Sequence, residues 1–143
     1  MPAAETYGAG GALVFDTSAW SRQRHPAVRG RCLATADAGL LVSCPVVTLE
    51  VLAAARDQRA FEDLDRTLGA LPAAPVPRSA GAAAVGVSRE LRGERRIPAA
   101  DYLIAAAAAG RSAGVLHHDH HFDALCGVLG IESVWGSEPG TMD

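Results

Sequence analysis

Short apolar runs, bounded by glycine on one side and by a polar residue able to cap a helix on the other, recur along this chain and decide its fold class. Gly11-Ala-Leu-Val-Phe-Asp16 and Gly114-Val-Leu-His117 are too short for core helices and lack polar alternation, so they read as strands buried on both faces. Leu40 to Ser43, following Gly39, and Ile131 to Trp135, following Gly130, read as two more. Helical segments fill the intervals. Pro26 to Asp37 forms one with Val28 and Leu33 inward, and Pro45 opens the next, through about Ala55. Gln58 to Leu68 places Phe61, Leu64 and Leu68 on one stripe. Ser79 caps a helix ending near Gly93, Pro98 begins one running through Ala109, and Asp119 caps one running to Gly130. Leu71 to Pro77 is a proline-rich connector with room for a short strand at most. This alternation predicts an α/β fold with a mainly parallel central sheet of four to five strands, covered by helices on both faces.

No internal repeat or linker divides the chain. Its 143 residues suit one domain, expected over 11–135 between a flexible N-terminal segment, 1–10, and a flexible tail, 136–143. No apolar run approaches the roughly 20 residues that span a bilayer, and the first residues lack the pattern of a signal peptide, so a cytoplasmic protein that uses no membrane is expected. Cys32, Cys44 and Cys126 are odd in number and form no CxxC pair, which favours buried, reduced thiols. A net charge of −3 argues against coating nucleic acid by bulk attraction.

The chemistry lies in carboxylates set among apolar residues. Glu50 is the one charge in Val46 to Ala55, and its helical neighbours are Val46, Val47, Ala53 and Ala54, so it is expected on a face shared with the core. Asp101 is the one charge between Ile97 and Gly110, beside Ile97, Pro98, Ile104 and Ala105. A charge in such a setting costs several kcal/mol unless paired or bound to a metal. Asp16 ends the first strand and Asp119 follows a later one, which aims both at the crevice outside the carboxyl ends of the strands; each also has the simpler reading of a helix cap. Four such acids make an oxygen-only ligand set for Mg²⁺ or Mn²⁺, suited to metal-assisted phosphodiester hydrolysis.

Leu13-Val-Phe-Asp16-Thr-Ser-Ala-Trp, Val47-Thr-Leu-Glu50-Val-Leu, Ile97-Pro-Ala-Ala-Asp101-Tyr-Leu-Ile-Ala-Ala and Leu116-His-His-Asp119-His-His-Phe122-Asp resemble, in order and spacing, the successive motifs of VapC-type PIN domains. The resemblance covers about Gly11 to Val134. It implies a three-layer PIN-like domain whose metal-binding and catalytic acids are Asp16, Glu50, Asp101 and Asp119, with Asp123 a less certain fifth and Thr17 or Ser18 orienting a carboxylate or water. It further implies a divalent-metal-dependent endoribonuclease, the toxin of a type II toxin–antitoxin pair, acting on RNA, pairing as a homodimer and restrained by a cognate antitoxin protein. The sequence departs from the family at His117, where a small hydroxyl residue is usual.

Around this centre, Arg22, Arg24, Arg29 and Arg31 follow the Asp16 loop, while Arg89, Arg92, Arg95 and Arg96 precede the Asp101 helix. Of these, Arg22, Arg24, Arg95 and Arg96, with His117, are candidates for substrate phosphate; the alternative is a solvated helix face, particularly beside Glu90 and Glu94. Trp20 could stack a base or belong to the core or a dimer surface. His117, His118, His120 and His121 crowd around Asp119 and would suit a transition metal, but consecutive histidines about a turn are expected to point in different directions. Three other functions compete. A phosphoacceptor receiver domain requires a lysine, and the chain has none. A non-catalytic PIN-like RNA- or protein-binding module would have lost acids that this sequence keeps. A metal-dependent DNA nuclease of the flap type would carry more acids and additional elements.

Overall fold

A computed structural model describes residues 11–93 and 96–138. The expected N-terminal segment 1–10, the end of the tail, 139–143, and Glu94 and Arg95 lie outside the described residues. In chain order the elements are β1 (Leu13–Phe15), α1 (Thr17–Trp20), α2 (Pro26–Asp37), β2 (Leu41–Val42), α3 (Pro45–Ala53), α4 (Gln58–Gly69), α5 (Arg78–Glu90), α6 (Ala99–Gly110), β3 (Gly114–His117), α7 (His121–Leu129) and β4 (Ser133–Trp135). Four strands lie in the order β2-β1-β3-β4, every neighbouring pair parallel. Val14 sits between Val42 and Val115, and Leu116 pairs with Val134.

Leu13, Val14 and Phe15 are all buried, as is the whole of β3, although successive side chains point to opposite faces. Both faces of the sheet are therefore covered, which makes a three-layer α/β domain. Phe15, Phe122, Ile104, Leu116 and Leu125 fill the core. The alanine run of α6 leaves Ala105, Ala106, Ala107 and Ala108 all buried, and such small side chains let the helix lie close to its neighbours.

Local signals place most element ends. Proline opens α2 and α3, where its missing N–H costs no helical bond. Asp57 caps α4 by accepting from Ala60 N–H at 2.8 Å. Gly130 ends α7 at φ 71°, a left-handed conformation that only glycine adopts without strain. Gly114 is required by proximity: a Cβ there would stand 2.8 Å from the Glu132 carbonyl oxygen across the β3–β4 pair.

Several expectations are corrected. Leu33 is 55% exposed, and Cys32 and Thr35 join Val28 on the buried face. At 100° per residue, the step from Val28 to Leu33 turns the side chain about 140° away, whereas i+4 and i+7 return to the same side. The fourth helix stripe fades outward, from buried Leu68 to Phe61, which is 37% exposed. Pro77 rather than Ser79 caps α5, and α5 ends at Glu90. Pro98 is the cap of α6 and not its first residue, while Gly110 still belongs to the helix. The proline-rich connector adds one bridge, Ser43 to Ala73. Past Trp135 the backbone stays attached: Gly136 N–H donates to the His117 carbonyl at 2.8 Å, and Gly136 and Ser137 are buried. All three cysteines are buried and free, and burial pushes Cys32 up to about 11 and Cys126 up to about 12.

Candidate metal centre

β1 runs to β2 on one side of the sheet and pairs with β3 on the other, so strand order reverses between β1 and β3. The carboxyl ends of these two strands flank the crevice where open parallel sheets bind ligands. Asp16 stands at the end of β1. Its backbone N–H donates to the Leu116 carbonyl at 2.8 Å, which ties the residue to β3. Its Oδ2 accepts from Ser18 N at 3.0 Å and Ser18 Oγ at 2.5 Å, while Ser18 Oγ accepts from His118 N at 2.9 Å. Ser18 thereby joins the loop after β1 to the loop after β3. Burial raises the Asp16 carboxyl above its ordinary range against the Ser18 hydrogen bonds, and Glu50 raises it further.

Glu50, on α3, reaches the same loop: Thr17 Oγ1 donates to its Oε1 at 2.6 Å. It is exposed, contrary to the expected core-sharing face, because Ala53 and Ala54 are themselves exposed and only Val47 among its helical neighbours is buried. Apolar neighbours did not here imply a buried face. Asp101 does match the expectation of burial, with 9% exposure. Burial, then Asp16, pushes its carboxyl up to about 6, with Asp119 adding to the rise and the His121 hydrogen bond opposing it. Asp119 lies in the turn after β3 and accepts His121 N–H at 3.0 Å, one residue earlier than a strict cap of α7, whose cap position is His120.

His121, which sequence reasoning left unassigned, joins the acids. Its Nδ1 lies 3.3 Å from Asp101 Oδ2 and 3.2 Å from Asp119 Oδ1. The signal was available in the two-residue step from Asp119 across the start of a helix, but the contact with Asp101 depends on the packing of α6 against α7. The raised carboxyls of Asp16 and Asp101, both buried, mark a site whose charge a cation would relieve, and hard oxygen donors fit Mg²⁺ or Mn²⁺.

The remaining candidates separate. His117 is corrected: it is fully buried between Phe122 and Trp135, so it is not presented to substrate. Its Nδ1 accepts from Asp119 N–H at 3.1 Å and its Nε2 meets Ser133 Oγ at 2.7 Å. Burial lowers its pKa to about 4, leaving a neutral ring that supports the Asp119 turn. Asp123 faces β4, where its Oδ1 accepts from Ser133 Oγ at 2.7 Å and Trp135 Nε1 at 3.2 Å. Arg22 donates to the Ser18 carbonyl at 2.8 Å, beside the acids. Arg24 is exposed. Arg31 is drawn away to the Trp135 carbonyl, and Arg96 lines a groove between α5 and α6 with Val85 and Tyr102. Trp20 packs on Phe15 at 5.3 Å between centroids, as a core contact.

A small parallel α/β domain with carboxylates gathered at its strand switch point defines a class, and residues 13–128 match the PIN domain family. The chain belongs to that family. Among its relatives, ribonuclease VapC18 of Mycobacterium tuberculosis is 33% identical over 137 residues, covering 91% of this chain and 100% of that one. Ribonuclease VapC51 of the same organism is 34% identical over 134 residues, covering 91% and 96%. Among solved structures, the toxin–antitoxin complex VapBC-5 of M. tuberculosis matches at TM-score 0.62 and 24% identity, over 87% of this chain and 98% of that one. VapBC2 of Rickettsia felis, bound to a promoter DNA fragment, matches at TM-score 0.69 and 14% identity, over 87% and 96%; at these identities the likeness concerns the fold.

Proposed function

We propose that the chain is an Mg²⁺- or Mn²⁺-dependent endoribonuclease acting in the cytoplasm as the toxin of a toxin–antitoxin pair. The observation that carries this reading is the convergence of Asp16, Glu50, Asp101 and Asp119, from four separate segments, on one end of the sheet. Asp16, Glu50, Asp101 and Asp119 would hold the ion. When bound, the ion supplies Lewis acidity to a phosphodiester and lowers the pKa of a hydrolytic water. The protein side of the chemistry is positioning. Ser18 fixes Asp16 and Thr17 fixes Glu50, so two carboxylates meet the site without searching rotamers. Arg22, which donates to the Ser18 carbonyl next to the acids, and the exposed Arg24 would engage RNA phosphates.

The antitoxin assignment is supported by the likeness to VapBC toxin–antitoxin structures and by the electrostatics of the groove. A guanidinium donating two hydrogen bonds to these carboxylates would offset their repulsion and exclude the ion. Purified protein incubated with total RNA should cut in Mg²⁺ or Mn²⁺, stop on chelation and resume on adding the ion back. Cleavage that persists in excess chelator would overturn the metal-dependent reading.

A further inference from the structure

Of the four crowded histidines, His117 and His118 turn towards Trp135, as divergence about a turn predicts, whereas His120 and His121 stay together. One donor atom from each of Asp119, His120 and His121 lies within 4.8 Å of the other two. Asp119 Oδ1 is 3.7 Å from His120 Nδ1 and 3.2 Å from His121 Nδ1. The two rings sit side by side, 4.6 Å between centroids. Donors held about 2.1 Å from one ion stand roughly 3.0–3.4 Å apart in octahedral or tetrahedral geometry; the Asp119–His121 spacing falls in that range, and the Asp119–His120 spacing lies a few tenths of an ångström beyond it, within reach of a side-chain adjustment. The turn explains the arrangement. His121 N–H is pinned to the same Asp119 oxygen, which brings the first residue of α7 back over the carboxylate. His120, in the preceding cap position, is exposed and leaves a path for an ion to enter.

We propose that Asp119, His120 and His121 form a mixed carboxylate–imidazole subsite for a transition-metal ion of the Co²⁺ or Zn²⁺ kind, beside the oxygen donors of Asp16, Glu50 and Asp101. It deepens the metal-dependent reading above by dividing the centre into a hard half and an imidazole half. Imidazole nitrogen favours cobalt, nickel, copper or zinc and gives magnesium little, so the two halves differ in which ion they prefer. Asp101 Oδ2, 3.3 Å from His121 Nδ1, is the group through which the halves touch.

The test uses Co²⁺ alone, titrated into the full chain without RNA and followed by its visible d–d absorption. The wild type should show a saturable band, shifted in position from that of aqueous Co²⁺ as nitrogen ligation requires and resistant to Mg²⁺ in large excess. His120→Gln and His121→Gln should each weaken Co²⁺ binding by at least about tenfold, and Asp16→Asn should retain the band. His120 is exposed, so its variant keeps the test sound even if His121→Gln folds poorly. Unchanged Co²⁺ affinity in His120→Gln and in a folded His121→Gln, or displacement of Co²⁺ by equimolar Mg²⁺, would overturn the subsite. Because no RNA is present, failure here is distinct from failure of the ribonuclease reading, which is judged by cleavage in Mg²⁺ or Mn²⁺.

Discussion

Asp101 combines a buried position with nearby negative charge, and both disfavour its ionised form. Its carboxyl rises from 3.8 to about 6, roughly two units, or on the order of 3 kcal/mol at 1.36 kcal/mol per unit. With the folded value above the unfolded one, this group's stabilising contribution is complete below pH 3.8 and is lost as pH rises through about 6. In chelator, Asp101→Asn should therefore melt above the wild type at pH 7.5, with the gap closing towards pH 4; a constant gap would contradict the account. His117 acts in the opposite sense. Its pKa falls from 6.5 to about 4, so its contribution is present above 6.5 and is lost as pH falls through 4. Once Asp101 is neutralised, that loss should appear in the variant's own melting curve. Asp101 was legible in the sequence because it is the single charge in a long apolar helix. Glu50 was legible as a candidate but not as an exposed one, since the exposure of Ala53 and Ala54 follows from what α3 fails to pack against.

Strand and helix positions were largely legible because glycine, proline and Asp57 act through local backbone rules that need no tertiary contact. The faces were less so. Leu33 and Cys32 differ by one position, and the helical period counted from buried Val28 selects the less hydrophobic thiol over the leucine. The attachment of α7 to β4 was illegible, since it runs from Asp123 to Ser133 and Trp135. Asp123→Ala should cost about 0.5–1.5 kcal/mol in urea unfolding and leave RNA cleavage substantially intact, whereas abolished cleavage in a folded protein would restore Asp123 as a metal ligand. At the centre of the sheet, Gly114→Ala would drive a methyl against the Glu132 carbonyl oxygen and Cβ and against Leu13. Equilibrium unfolding should register a loss of about 1–3 kcal/mol.

Across the whole molecule, reversal of strand order between β1 and β3 opens the crevice, and loops anchored by Ser18 and His117 aim acids into it. The overall fold was legible, and the four acids could be nominated, because the motifs carrying them are local; the His121 bridge was not, because it is made where two helices meet. An ion that binds only the native state stabilises it by mass action, so Mg²⁺ or Mn²⁺ should raise the melting temperature of the wild type and not that of Asp16→Asn. Equal shifts in both would place the ions elsewhere. The most direct test of the four-acid centre is Mg²⁺-dependent cleavage of total RNA by Asp16→Asn, Glu50→Gln, Asp101→Asn and Asp119→Asn, each verified as folded. Each substitution should abolish cleavage. Wild-type rates in any two of the folded variants would contradict the assignment of the centre.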